Sequence, residues 1–239
     1  MKGLLIGLLC ALAAASAVAQ QPPDIPRFST AKPGPPPAGW KHLPLASFNN
    51  NTEYLLVVED NTVVVRAMAH NSASLLGLQT NFDPHQFPML SWRWKVAQNI
   101  PDANTAEQAK EDAPVRLMVA FAGDVSKLAF KDRFTASAAQ SISGQPLPYA
   151  ELMYVWGSKV ALDSVTVSSR SNRIRMIAVA IDDQGIGAWH SYKRNLVEDF
   201  KRVFGEEPGN VTSIQIMTDT DNTGADAQAY YGDISVAAK

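Results

Sequence analysis

The sequence contains a single cysteine, Cys10, which lies within an apolar stretch near the amino end. Lys2 gives this stretch a positive start, residues 4–15 are apolar but too few to anchor in a bilayer, and Ala17-Val18-Ala19 resembles a cleavage signal. We therefore predict a secretory signal peptide at residues 1–19 and a periplasmic or secreted mature protein without cysteine. Such a domain cannot use disulfides and depends on its apolar core for stability.

Concentrated charge and further long apolar runs are also missing. The formal net charge is -2, and removal of Lys2 with the signal peptide would leave about -3. Such a chain lacks the excess positive charge that binds nucleic acid or anionic lipid. No apolar run after residue 19 approaches bilayer-spanning length. We expect no nucleic-acid partner and no integral membrane segment in the mature chain.

Thiolate and clustered histidine ligands are lacking too. The four histidines are scattered along the chain, whereas zinc and copper sites gather imidazole and thiolate groups. A metal bound to this chain would have to use oxygen ligands, as calcium does. Apart from calcium, we expect no cofactor.

Proline is concentrated in residues 20–39, at positions 22, 23, 26, 33, 35, 36 and 37. Such a segment prefers extended polyproline geometry to paired strands, and we interpret it as a leader or tether. The whole chain is 46% apolar and 18% charged, an ordinary globular composition. We predict one domain at residues 40–239.

Within that domain the dominant hydrophobic period is two, which is typical of strands with one buried face. Between Ser91 and Val96, for example, Trp92 and Trp94 fall on one face while Arg93 and Lys95 fall on the other. So many strands require two layers. We predict a mainly β fold, an antiparallel sandwich, with strands at 62–69, 87–96, 115–121, 152–156, 173–181, 211–219 and 229–236.

Two stretches break this period and predict one or two short helices. Residues 195–204 have apolar side chains at helical spacing, Asn195 as a possible N-cap with Glu198 as its capping-box partner, and Gly205 as a stop. Residues 125–143 have a weaker helical pattern within a long connection.

Several motifs in order resemble a bacterial family of exported proteins designated domain of unknown function 3047 (DUF3047). The resemblance spans most of the mature chain but implies no assigned reaction, and the carboxyl-terminal pattern is similar to galactose-binding-like jelly rolls. The motifs are Trp92-Arg93-Trp94-Lys95, Tyr154-Val155-Trp156, residues 189–195, Glu198-Asp199-Phe200, Phe204-Gly205-Glu206, residues 218–224 and Tyr230-Tyr231-Gly232-Asp233-Ile234.

One candidate site is the acidic turn after the strand at 211–219. Asp219, Asp221 and Thr223 would point the same way in an extended segment, and Gly224 would let the chain reverse. These oxygens suit calcium, with Asp233 as a further ligand, or a polyol. The same residues also favour an ordinary turn.

Aromatic and cationic side chains form a second candidate site. Trp189 follows a loop-like run and precedes Arg194 at a predicted helix start, while Trp156 and Arg93 offer a further stacking surface and a cation. The alternative is that these tryptophans belong to the core.

We therefore predict a non-catalytic module that binds a polar ligand such as an envelope glycan, through Trp189, Arg194, Arg93, Trp156, Asp219, Asp221 and Thr223. One alternative is a glycosidase-like hydrolase that uses Asp219 or Asp221 with Arg93 or His190. A second alternative is a structural component of an envelope assembly.

Overall fold

The computed structural model describes residues 21–45, 50–128, 148–183 and 185–239. The signal peptide predicted at residues 1–19 and most of the weak helix predicted at 125–143 lie outside these ranges. The described strands are β1 (Trp40–Pro44), β2 (Glu53–Glu59), β3 (Thr62–His70), β4 (Ser74–Phe82), β5 (Met89–Gln98), β6 (Ala113–Phe121), β7 (Ala150–Gly157), β8 (Val165–Val167), β9 (Ile174–Ile181), β10 (His190–Asn195), β11 (Val211–Asp219), β12 (Asp226–Tyr231) and β13 (Ser235–Ala237).

The strands form two sheets. One has seven strands in the order β1-β4-β11-β6-β7-β9-β8, and the other has the order β10-β5-β12-β3-β2, with β13 also pairing with β5. The prediction of a mainly β sandwich of jelly-roll character with a short helix is confirmed. All pairs between named strands are antiparallel except β7 with β9, which run parallel.

The core lies between the two sheets, where the alternating side chains of both inner faces meet. Trp92 and Trp94 are buried there as the period of two predicts, and Trp92 stacks on Tyr192 of β10 and contacts Tyr154 of β7. Their outward neighbours Arg93 and Lys95 lie on the opposite face of β5. This alternation carries polar side chains to the outer surface of the sheet that holds the candidate site.

The proline-rich segment is part of the fold in this structure. Phe28 is 1% exposed and packs against Trp40 with ring centroids 4.9 Å apart, and the Trp40 indole N–H donates to Pro26 O at 3.1 Å. The Ser29 backbone N–H donates to Asp233 Oδ1 at 2.9 Å. Residues 25–34 therefore contact the sandwich, in contrast to the leader or tether that the proline content indicated.

The predicted helix is confirmed as α1 (Leu196–Phe204). The Asn195 side chain accepts hydrogen bonds from the backbone N–H groups of Val197 and Glu198, and its amide binds the Glu198 carboxylate at 2.8 Å. Gly205 ends the helix with φ 74°, the left-handed conformation that favours glycine. Within the described ranges, no helix has the length and apolar content needed to cross a membrane.

Candidate functional site

Trp189 lies in the loop between β9 and β10, which is shaped by two glycines. Gly185 and Gly187 have φ of 80° and 81°, which L side chains rarely adopt. A Cβ at Gly185 would lie 2.4 Å from His190 Nε2, and the Gly187 N–H donates to Val96 O at 2.8 Å. The loop thus turns over the outer face of β5 and places Trp189 there.

The Trp189 ring lies over two cations. Cζ of Arg93 is 4.5 Å and Nζ of Lys95 is 5.4 Å from the ring centroid, a cation–π arrangement. Both cations extend from the same face of β5, so they lie beneath the ring. The indole N–H also donates to Asp60 Oδ2 at 2.9 Å. Trp189 is only half-buried, so part of its indole is open to solvent.

The β2–β3 hairpin supplies two acids beside the indole. Its turn residues Asp60 and Asn61 have φ of 48° and 60°, the pattern of a tight type I′ turn. The Lys95 ammonium binds Glu59 and Asp60 and lies 5.1 Å from the Tyr230 ring centroid. We call Trp189, Arg93, Lys95, Tyr230 and Asp60 the Trp189 surface.

Charges on this surface stabilise each other. The hydrogen bond from the Trp189 indole, followed by that from Lys95, lowers the pKa of Asp60. Burial by itself lowers the pKa of Lys95, but its bonds to Glu59 and Asp60 outweigh burial and raise that pKa overall. Lys95 and Asp60 therefore remain ionised near neutral pH, and Lys95 is already matched by acids.

Asp219, at the end of β11, is engaged in a buried ion pair. Its two carboxylate oxygens accept from Nε and Nη2 of Arg116 at 2.9 and 3.0 Å, and Oδ1 also accepts from the Ala113 N–H. Both charged side chains are about 5% exposed or less. Burial raises the pKa of Asp219 to about 6, although Arg116 opposes that rise. The Asp219 carboxylate therefore holds β11 to β6, and its oxygens are already occupied by hydrogen bonds from Arg116 and Ala113.

The rest of the acidic turn closes on Asp112. Asp112 accepts from the N–H groups of Asn222 and Thr223 and from the Thr223 hydroxyl, at 3.1, 2.8 and 2.6 Å. One oxygen each from Asp112, Asp219 and Asp221 lies within 4.8 Å of the others. Arg116 already supplies positive charge to this group, and calcium binding here stays a prediction.

Three other predicted site residues lie apart from this turn. Trp156 is fully buried, and its indole N–H donates to Asp182 O at 2.7 Å. Arg194 forms two hydrogen bonds with the Asp199 carboxylate, at 2.8 and 2.6 Å. Asp233, proposed as a calcium ligand with Asp219 and Asp221, is not in their group and instead accepts from Ser29.

The acidic turn and the Trp189 surface lie at opposite ends of the sandwich. Strand β12 begins at Asp226, beside the turn, and Tyr231 at its other end is paired with Trp94. Six strand residues span on the order of 17–20 Å. His190 lies opposite Trp94 in the β5–β10 pairing, at the same end as the Trp189 surface. The predicted hydrolase pairing of Asp219 or Asp221 with Arg93 or His190 is therefore not formed, because the two acids lie at the other end.

A family model described as a protein of unknown function, DUF3047, matches residues 38–235. The chain belongs to the DUF3047 family. Comparison with curated proteins finds no significant match. The family description names no activity, so the function of this DUF3047 domain has to be argued from its own side chains.

Solved structures provide distant likenesses to this DUF3047 chain. The K3 cleaved adhesin domain of Lys-gingipain from Porphyromonas gingivalis is 14% identical, with TM-score 0.38, over 84% of this chain and 93% of that one. SGBP-B from a xyloglucan utilization locus in Bacteroides uniformis is 9% identical, with TM-score 0.36, over 89% of this chain and 49% of that one. The xyloglucanase domain of NopAA from Sinorhizobium fredii, in complex with cellobiose, is 8% identical, with TM-score 0.33, over 84% and 99%. These scores are too low to support an argument about function.

The DUF3047 site includes residues that the predicted set omitted. Of that set, the structure brings Trp189 and Arg93 together and adds Asp60, Lys95 and Tyr230. The pair Asp60-Asn61 between two apolar alternating runs is a hairpin signal, but nothing local links it to a tryptophan 129 positions later.

Proposed function

We propose that this protein is an exported, non-catalytic binding module whose Trp189 surface takes a polar ligand such as an envelope glycan. The proposal depends on one observation: the Trp189 indole is half-buried, with cations beneath it and its N–H bonded to Asp60. An indole held this way presents one ring face to stack on a sugar.

Contrast with the other tryptophans supports this assignment. Trp40, Trp92, Trp94 and Trp156 are all 6% exposed or less, so they serve the core. A half-buried aromatic ring on a loop is a common recognition element, because loops carry function on a rigid scaffold. Stacking also tolerates variation in the sugar, since it needs only an apolar ring face.

Polar groups beside the ring supply the directional contacts that a sugar requires. Asp60 offers a carboxylate that accepts from hydroxyl groups, and Arg93 offers N–H donors. Both are fixed by their contacts with Trp189, which reduces the entropy lost on binding.

Binding of immobilised glycans and purified envelope polysaccharides tests the proposal. We expect the wild type to bind at least one saccharide, and Trp189→Ala to weaken that binding about tenfold or more. Stacking on an aromatic side chain contributes about 1–3 kcal/mol for a nucleic-acid base, and we expect a sugar ring to lose a comparable contact. Asp221→Asn, at the opposite end of the sandwich, is the matched control and should bind as the wild type does. Equal binding by wild type and Trp189→Ala would exclude this surface.

Export is a separate part of the proposal and rests on the signal peptide predicted at residues 1–19. Cell fractionation with amino-terminal sequencing of the recovered protein tests it. We expect a periplasmic or secreted chain that begins after Ala19. An uncleaved chain in the cytoplasm would contradict it.

A further inference from the structure

Arg93 is a guanidinium that is held in place but has no acid paired with it. One side of it lies against the bare backbone of Gly232, where a Cβ would fall 2.5 Å from Arg93 Cγ and 2.6 Å from Nε. Trp189 covers its other side. Within the described ranges, no carboxylate lies within ion-pair distance of Arg93 and no acceptor takes its side-chain N–H groups. A fixed fork of five donors is thus left for an acceptor from outside.

Other cations on the same face of the sheet differ in this respect. Lys95 is bound by Glu59 and Asp60, and Arg66, two strands away, is paired with Glu53 at 3.3 Å. These acids neutralise their own partners. Arg93 differs because no carboxylate of the described residues is in contact with its N–H groups. Its charge acts on nearby Asp60 and, next to the larger effect of the hydrogen bonds that Asp60 accepts, lowers the pKa of that acid.

A second cation and two hydroxyl groups surround Arg93 on the same face. In the β5–β10 pairing, Arg93 is opposite Ser191 and Ser91 is opposite Lys193, so all four side chains point outward together. Diagonal neighbours of this kind lie about 7–8 Å apart. Lys193 is exposed, and the described residues offer it no ion pair either. Two cations without a carboxylate partner among the described residues therefore share this face with two hydroxyl groups.

We propose that the ligand of the Trp189 surface is an acidic saccharide, whose sugar ring stacks on Trp189 and whose carboxylate binds Arg93. This inference rests on the proposed function and names its ligand class. The planar guanidinium matches the two oxygens of a carboxylate through parallel hydrogen bonds. Ser191 and Lys193 add a hydroxyl donor and a second charge. Asp60, at the other edge of the indole, accepts from neutral hydroxyl groups of the same sugar.

A phosphorylated saccharide would satisfy the same positive charge, and the experiment separates the two. Isothermal titration uses three probes: oligogalacturonate, the same oligosaccharide with its carboxyl groups reduced to alcohols, and a phosphorylated oligosaccharide of equal length. We expect oligogalacturonate to bind about tenfold or more tightly than its reduced counterpart, because a charge-assisted pair is lost on reduction. Added salt should weaken the binding of the acidic probe and leave the affinity for the neutral probe unchanged.

Variants assign that preference to Arg93. Arg93→Gln should bring oligogalacturonate to the affinity of the reduced probe, and Lys193→Gln should weaken it about two- to fivefold. Arg66→Gln, an ion-paired arginine on the same face, is the matched control and should bind as the wild type does. The melting temperature of each variant shows that it is folded.

The outcomes separate the two proposals. If Trp189→Ala abolishes binding but wild type holds the acidic and reduced probes equally, the acidic-saccharide inference is overturned while the module stands. Tighter binding of the phosphorylated probe, lost in Arg93→Gln, overturns the carboxylate assignment. If no probe binds to the wild type while the glycan panel yields a neutral saccharide whose binding needs Trp189, the acidic-saccharide inference is overturned and the module stands. If the panel also yields no ligand, the proposed function fails.

Discussion

The Trp189 indole N–H donates to Asp60 Oδ2 at 2.9 Å, across 129 positions of sequence. This bond joins the loop before β10 to the hairpin turn between β2 and β3. Strands β10 and β2 are the two edges of that sheet. The loop therefore has an anchor on the opposite side of the sheet. The position of the Trp189 surface depends on both edges being in place.

The half-burial of Trp189 predicts a simple fluorescence result. Because the other four tryptophans are 6% exposed or less, acrylamide should quench mainly Trp189. We expect Trp189→Phe to remove most of the emission that acrylamide quenches. The emission that remains, from the buried rings, should be blue-shifted. Trp40→Phe is the control and should keep the quenchable part. A Trp189→Phe protein quenched as strongly as the wild type would contradict this placement.

The buried pair of Arg116 and Asp219 predicts a large effect on stability. Arg116→Met would leave the Asp219 carboxylate buried without a counter-charge, and we expect a loss of about 3–5 kcal/mol in the free energy of unfolding. Adding Asp219→Asn should recover part of it, because an amide carries no charge. Urea unfolding followed by circular dichroism measures both. A double variant less stable than Arg116→Met would show that the charge is not the cause.

The burial of Phe28 predicts that the proline-rich segment contributes to stability. Phe28→Ala removes a side chain that is 1% exposed, and we expect a cost of about 3–5 kcal/mol. Lys32→Ala, an exposed change in the same segment, should cost less than about 0.5 kcal/mol. Thermal unfolding compares the two. Equal melting temperatures would mean that the segment is a tether after all.

Glu151 on β7 predicts how stability varies with pH. Burial raises its pKa to about 7 from an ordinary 4.5, against Arg116 and Arg170, which lower it. The folded chain thus binds this proton more tightly than the unfolded chain, and the free energy of unfolding falls as pH rises from about 4.5 to about 7. A shift of this size corresponds to about 3 kcal/mol at most.

Glu151→Gln isolates that effect. The amide does not titrate, so we expect the melting temperature of the variant to fall less between pH 5 and pH 8 than that of the wild type. Glu53→Gln, an exposed glutamate, is the control and should keep the wild-type slope. The pKa of Asp219 is also raised, to about 6. Asp219 therefore lowers stability with rising pH in the wild type and in both variants alike, and it does not affect the comparison. Identical slopes for Glu151→Gln and wild type would refute the assignment.

The predicted strands match β3, β5, β6, β7, β9 and β11, and the run predicted at 229–236 covers parts of β12 and β13. Strands β1, β2, β4, β8 and β10 were not predicted, although β2 and β4 also bury apolar side chains such as Leu56 and Leu76.

Strand β10 (His190–Asn195) was missed because its sequence is polar throughout. Its inward residues bury rings instead of aliphatic chains: His190 contacts Trp156, and Tyr192 stacks on Trp92. A hydropathy pattern does not register such a strand.

The candidate site was only partly predictable for a related reason. The Asp219 to Thr223 turn has the composition of a cation loop, yet its polar atoms bind Arg116 and Asp112, which lie more than 100 positions earlier. Those partners are set by strand pairing that no local pattern contains. Trp189 was identifiable because the glycines around it indicated a loop, whereas Asp60 lies at the far end of another hairpin.

The contact between Ser29 and Asp233 joins residues 204 positions apart. A chain that emerges from its amino end cannot make this contact until almost all of it has been synthesised or has crossed a channel. Trp40, only twelve residues further on, can cover Phe28 early, whereas closure of the sandwich by the last strands would come late and slowly, because distant segments must meet first.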